Sequence, residues 1–256
     1  MTGLARLHRP LLVAGLAHFA ALAPVLAAMA MDDRLILGIN PWIKPAKFLL
    51  SIGIYLVTFA WMVPRVRGYA RPRQVIAWGV LIAMTTEMVL IAMQAARGTI
   101  SHFNMRSVFD IAVFNVMGIM IAINTALAAW LLVLFLRAPE PMPRAVLSGI
   151  RLGLLLFIIG GLEGGMMVAA NAHAVGVPDG GPGLPFVNWS TEGGDLRAAH
   201  FVGLHALQVL PILGWFLSRT RHDAGVTAVR IVALIWGLLF AGLTWMAVAG
   251  RSIWSA

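Results

Sequence analysis

Apolar residues in this chain do not alternate with polar ones; they come in long runs. Seven such runs, near 10–31, 46–64, 74–96, 108–136, 150–173, 198–218 and 227–249, each reach roughly the 20 residues that a helix needs to cross a bilayer. Each predicts one helix. Together they predict an all-α, polytopic integral membrane protein: a seven-transmembrane-helix bundle forming a single transmembrane domain over 1–256. Arg6 and Arg9 before the first run and Ala28-Met29-Ala30 near its end resemble a secretory leader, but the run is too long for one. Between the fifth and sixth runs, Pro178-Asp179-Gly180-Gly181-Pro182-Gly183-Leu184-Pro185 precludes a helix and predicts a long loop, read as either a lid or a structured crossover.

Composition agrees about the solvent. With 60% hydrophobic and 11% charged residues, and a mean hydropathy of +0.87, the chain has too little polar surface to face water all round. The lipid bilayer is its first partner. Cysteine is absent, which removes disulfide and thiolate chemistry and leaves His, carboxylate or Met to hold any metal. The methionines have no adjacent histidine, and apolar filling explains them better than copper binding.

The net charge of +9 reads as a topology signal. Arg6, Arg9, Arg65, Arg67, Arg71, Arg73, Arg137, Arg144, Arg151, Arg219, Arg221 and Arg230 gather at one set of helix ends, which the positive-inside rule makes cytoplasmic. The N-terminus is then cytoplasmic and the C-terminus outside, in a bacterial inner membrane. No nucleic-acid partner is expected.

Acids and histidines concentrate in the other half. At about 1.5 Å of rise per residue, Glu87, Glu163, Asn115, His205, Tyr55 and Gln208 each fall about 10–15 Å below the outer surface, which predicts an outward-opening polar funnel. Ionisable groups at that depth are costly and commonly functional. Glu163 stands among four glycines in Gly160-Gly161-Leu162-Glu163-Gly164-Gly165, a spacing that lets a neighbouring backbone approach. Glu163, Glu87 and Asp110 are the candidate catalytic acids. His102, His200, His205 and Glu163 are the candidate metal ligands, suited to zinc or iron. His200 and His205 lie five apart, about 140° around a helix, so they do not form the i, i+4 pair of a helical metal site.

Haem is the alternative cofactor, with His18 and His205 as one axial pair. Lys47, Arg106 and Arg197 run against the positive-inside bias. They read as a clamp for an anionic lipid or small-molecule substrate, with Asn115, Gln208 and Trp189 as further contacts, or as internally paired: Arg197 with Asp195 or Glu192, Arg106 with Asp110, Lys44 or Lys47 with Asp32 or Asp33. Asp195 is placed to N-cap the sixth helix.

Seven spans with scattered histidines are similar to the progestin/adiponectin receptor and alkaline ceramidase group, whose zinc site uses one early histidine and an HxxxH pair in the last span. This chain departs from that pattern: its pair, His200 and His205, is one residue wider and lies in the sixth span, and the seventh span has no histidine. The sequence therefore favours a membrane-embedded, metal-dependent hydrolase or oxidoreductase with a His/Glu site opening to the periplasmic side. A proton-coupled transporter, or a subunit of a homo-oligomer or larger membrane complex, is the alternative.

Overall fold

In lipid the backbone finds no water, so an apolar run satisfies its N–H and C=O groups by closing them into a helix. The computed structural model describes residues 7–219 and 222–254, without the side chains of 222 and 223. Arg6, Arg221 and the side chains of His222 and Asp223 thus lie outside the described residues. Among these, seven helical segments are long and apolar enough to cross a membrane: Arg9–Met31, Ile43–Arg65, Ala70–Ala96, Val108–Arg137, Arg144–Ala170, Leu196–Leu217 and Ala224–Val248. Each falls on one of the predicted runs, and the largest shift is in the fifth, which begins at Arg144 rather than 150.

Proline shapes the first two spans. The first is two helices, α1 (Arg9–Ala20) and α2 (Leu22–Met31). Pro24 has no N–H to give the Ala20 carbonyl and its ring crowds that oxygen, so the regular ladder breaks between them. In the second, α3 (Ile43–Met62) tightens into a 3-10 turn at Val63–Arg65 around Pro64. The remaining helices are α4 (Ala70–Ala96), α5 (Val108–Arg137), α6 (Arg144–Ala170), α7 (Leu196–Leu217) and α8 (His222–Val248). Strands β1 (Ala174–Val175) and β2 (Gly194–Asp195) pair antiparallel between α6 and α7, Ala174 opposite Asp195. The chain divides into two compact units, Met1–Leu131 and Leu132–Ala256.

In the first unit α1 lies against α3. Leu11, Gly15 and His18, one stripe of α1, are buried. A Cβ on Gly15 would come 2.8 Å from Val57 and 3.0 Å from the Gly53 carbonyl, so the two backbones are nearly in contact. The α2–α3 loop closes on Asp32, whose carboxylate accepts from Arg34 and from Trp42 Nε1 at 2.8 Å. Arg34 also donates to the Ala96 carbonyl at 3.2 Å, tying this loop to the end of α4. The Arg34 hydrogen bonds hold the Asp32 carboxyl well below the usual carboxylate range. Lys44 and Lys47, the partners expected for Asp32, are displaced because Arg34 is two residues away and offers a planar fork.

In the second unit α6 and α7 meet backbone to backbone. A Cβ on Gly149 would lie 2.3 Å from the Leu210 carbonyl, one on Gly153 2.8 Å from that of Ala206, one on Gly160 2.8 Å from Gly203 Cα, and one on Gly214 2.4 Å from the Ala145 carbonyl. These glycines run the length of the contact. Helices α7 and α8 are joined by Trp236 Nε1, which donates to the Val202 carbonyl at 2.8 Å.

Gly160→Ala forces two backbones apart and is expected to destabilise the protein by roughly 1–3 kcal/mol. Gly165→Ala, where a Cβ meets nothing within 4 Å, is the matched control and should leave stability unchanged. Thermal unfolding of both variants in detergent measures the difference.

Candidate functional site

Each unit brings one buried glutamate to one histidine. In the first, Glu87 on α4 is only 1% exposed, and His102 Nε2 lies 3.4 Å from its Oε1. The histidine reaches it because the loop from 97 to 107 is pinned. Gly98, at φ +72°, turns the chain out of α4, and the fully buried Asn104 donates to Thr99 Oγ1 at 3.0 Å and to the Ile100 carbonyl at 2.9 Å. Lys44 Nζ is 3.0 Å from His102 Nδ1, and Ser101 Oγ is 3.1 Å from it. An ammonium only donates, so Nδ1 accepts from it and the ring proton sits on Nε2, toward Glu87. Phe48, Phe103 and Phe114 surround the ring, with centroids 6.2, 6.2 and 6.3 Å away. The second oxygen of Glu87 is buried and accepts no hydrogen bond among the described residues.

In the second unit the close seam sets the site. His200 on α7 donates from Nδ1 to the Gly160 carbonyl at 2.9 Å, and the same nitrogen is 3.3 Å from Glu163 Oε2. A Cβ on Gly164 would strike the His200 ring at 2.9 Å, so glycine there makes room for the imidazole. Glu163 is 6% exposed, and among the described residues neither of its oxygens accepts a hydrogen bond. Buried carboxyl oxygens without donors are rare and call for a ligand or a proton.

The other predicted residues fall elsewhere. His205 does not join Glu163: it is partly exposed, stacks on Phe201 with centroids 3.9 Å apart, and donates to that residue's carbonyl at 2.7 Å. The cause is the five-residue spacing, which turns it away from the face that carries His200. His18 is buried and donates from Nδ1 to the Ala14 carbonyl at 2.7 Å, while its Nε2 has no partner among the described residues. Asn115 is exposed on α5, against the expectation that it lines the funnel, and Gln208 is partly buried on α7. Tyr55 donates instead to Asn124, a residue not singled out from the sequence, at 2.9 Å. Among the described residues no three or more His, Asp or Glu side chains are placed to hold a metal ion. The expected set of His102, His200, His205 and Glu163 therefore does not converge.

Asp110 is a structural node. It accepts from Gln94 at 2.9 Å, Arg97 at 2.6 Å and Ser107 Oγ at 2.7 Å, while its own N–H donates to Ser107 Oγ at the start of α5. The expected partner Arg106 is exposed and its backbone N–H is held by Asn104; Arg97 takes its place from the end of α4. Arg197 is closed by Asp195 at 2.5 and 2.9 Å and by the Asn188 carbonyl, as the internal-pairing reading anticipates. Asp195 also caps α7 through the Arg197 N–H at 3.0 Å. Lys47 is partly buried on α3, and Trp189 packs edge-on against Phe201 at 5.6 Å. Comparison with family models, curated proteins and solved structures gave no match.

The loop from 171 to 195 carries a separate latch. Asp179 accepts from His173 Nδ1 at 2.7 Å and from the N–H groups of His173 and Ala174. Burial pushes the Asp179 carboxyl up, but the His173 hydrogen bond and charge and the backbone donors outweigh it and hold the group well below the usual carboxylate range. A depressed carboxyl contributes stability that is present above its unfolded pKa, about 3.9, and lost as pH falls through the folded value. Pepsin should therefore spare the wild-type loop at about pH 5 and cut it increasingly below about pH 4, whereas Asp179→Asn should be cut at both. Equal cutting of the two proteins at the higher pH would remove the latch.

Proposed function

We propose that the protein is a proton-coupled membrane carrier in which Glu87 with His102, and Glu163 with His200, each take up and release a proton. One observation carries this reading: both oxygens of Glu163 are buried without a hydrogen-bond donor among the described residues, beside an imidazole 3.3 Å away. An ionised carboxylate in that position costs several kcal/mol unless it is compensated. A proton on the acid removes the charge, and a proton on the histidine supplies the counter-charge. Taking up a proton at either pair therefore removes or offsets the buried charge, and releasing it restores that charge. Intramembrane acids and histidines in such pairs are the usual elements of proton relays.

The metal-dependent hydrolase or oxidoreductase with zinc, iron or haem has less support, since the donors are grouped in twos. The arginine distribution supports a cytoplasmic N-terminus and a bacterial inner membrane, so the pairs open toward the periplasm.

Proton uptake by the purified protein on acidification should fall by about one proton in Glu163→Gln, and again in Glu87→Gln, because the amide does not ionise. Infrared difference spectra of the same acidification should lose a separate protonated-carboxyl band in each variant. Unaltered uptake and spectra would overturn the proposal. A stoichiometric metal lost with His102→Ala or His200→Ala would restore the metal reading.

A further inference from the structure

Three arginines of the second unit stand where the proton pairs make no use of them. Arg144 and Arg151 on α6 and Arg230 on α8 line a cavity of about 790 Å³ together with Ser148 and Thr227. Among the described residues none of the three is paired with a carboxylate. Arg151 is aimed by two hydrogen bonds to the Phe135 carbonyl, from Nη2 at 2.9 Å and Nε at 3.2 Å, which leave its other amino group uncommitted. Arg144 and Arg230 are exposed.

Helix direction adds to this charge. The lining of α6 comes from its first two turns and that of α8 from Val226 to Arg230, near its start. A second cavity of about 350 Å³ is lined by residues further along both helices, among them Leu155, Leu156, Leu234 and Leu238. The two helices therefore run side by side in the same direction. Both amino ends, with their positive dipole ends, lie toward the arginines.

Leu152 and Arg230 line both cavities, so the basic one adjoins the apolar one. A free anion would use the first and leave the second empty. A molecule with a phosphate at one end and a hydrocarbon chain at the other fills both. We propose that the second unit binds an anionic phospholipid, its phosphate among Arg144, Arg151 and Arg230 and an acyl chain in the groove between α6 and α8. Ser148 and Thr227 add hydroxyl donors for phosphate or glycerol oxygens, and basic pockets between membrane helices favour such headgroups.

The test is lipid binding to the purified full-length protein in detergent, followed by native mass spectrometry. Phosphatidylglycerol should bind on the order of tenfold tighter than phosphatidylcholine with the same chains, and the double variant Arg144→Gln/Arg230→Gln should abolish the preference. Neither side chain donates a hydrogen bond to the described residues, and the comparison of the two lipids on the unaltered protein stands even where the variant fails to fold. Gly237→Leu fills the groove, since a Cβ there is 3.7 Å from Leu156, an ordinary contact. It should weaken phosphatidylglycerol and leave inorganic phosphate unaffected. Equal binding of the two lipids overturns the proposal, as does a preference that survives the arginine substitutions. Inorganic phosphate binding as tightly as the lipid, with Gly237→Leu without effect, would assign the site to a free anion and overturn it too.

Discussion

The contact of α6 with α7 through glycine is the constraint on which the second unit rests. Helices inside lipid gain nothing from burying leucine against leucine, because lipid tails are as apolar as the side chains they replace. What holds them is close van der Waals approach, and here Gly149, Gly153, Gly160 and Gly214 bring one backbone against the other. That approach also decides the chemistry. The Gly160 carbonyl comes within 2.9 Å of His200 Nδ1 only because no side chain separates the helices, and this hydrogen bond fixes which imidazole nitrogen faces Glu163. Packing and site are the same arrangement.

The first unit reaches a similar pair by another route. His102 is on a loop, and a loop has no helical ladder to orient its side chains. Hydrogen bonds do so instead: Asn104 pins the loop on itself, Lys44 and Ser101 meet Nδ1, and an aromatic ring of Phe48, Phe103 and Phe114 confines the imidazole. Nearby, Arg34 and Arg97 tie the loops to α4 and α5 through Asp32 and Asp110. Arg34 and Arg97 are thus already given to acids, whereas Arg106, read as part of an anion clamp, is exposed.

Much of this was legible in the sequence, where one rule dominates. Bilayer thickness and the helical ladder set the seven spans, and of the four glycines around Glu163, read as marking a close neighbour, Gly160 and Gly164 meet one while Gly165 meets nothing within 4 Å. Asp195 as a cap follows from its place before an apolar run. The failures occur where two rules compete or where a loop intervenes. Depth counting puts His205 and Glu163 at one level, but depth says nothing of rotation about the helix axis, and the five-residue spacing turns His205 outward. Arg106 is nearer than Arg97 to Asp110 in sequence, yet Arg97 sits beside it in space because Gly98 reverses the chain at the end of α4. The His102–Glu87 contact depends on that same reversal and on Asn104, neither of which leaves a periodic signal.

Pairs rather than triads favour the proposed proton handling over metal binding. A metal needs three or more donors converging at fixed distances, which in turn needs several elements to hold their side chains toward one point. A proton needs one acceptor, a second one nearby and an environment in which both states cost a similar amount. The glycine seam brings Glu163 and His200 together from two helices, and among the described residues no third ligand joins them. The loop over Glu87 supplies one histidine and fills the remaining space with phenylalanine. Both arrangements leave buried carboxyl oxygens that accept no hydrogen bond among the described residues, and the smallest ligand that resolves such an oxygen is a proton.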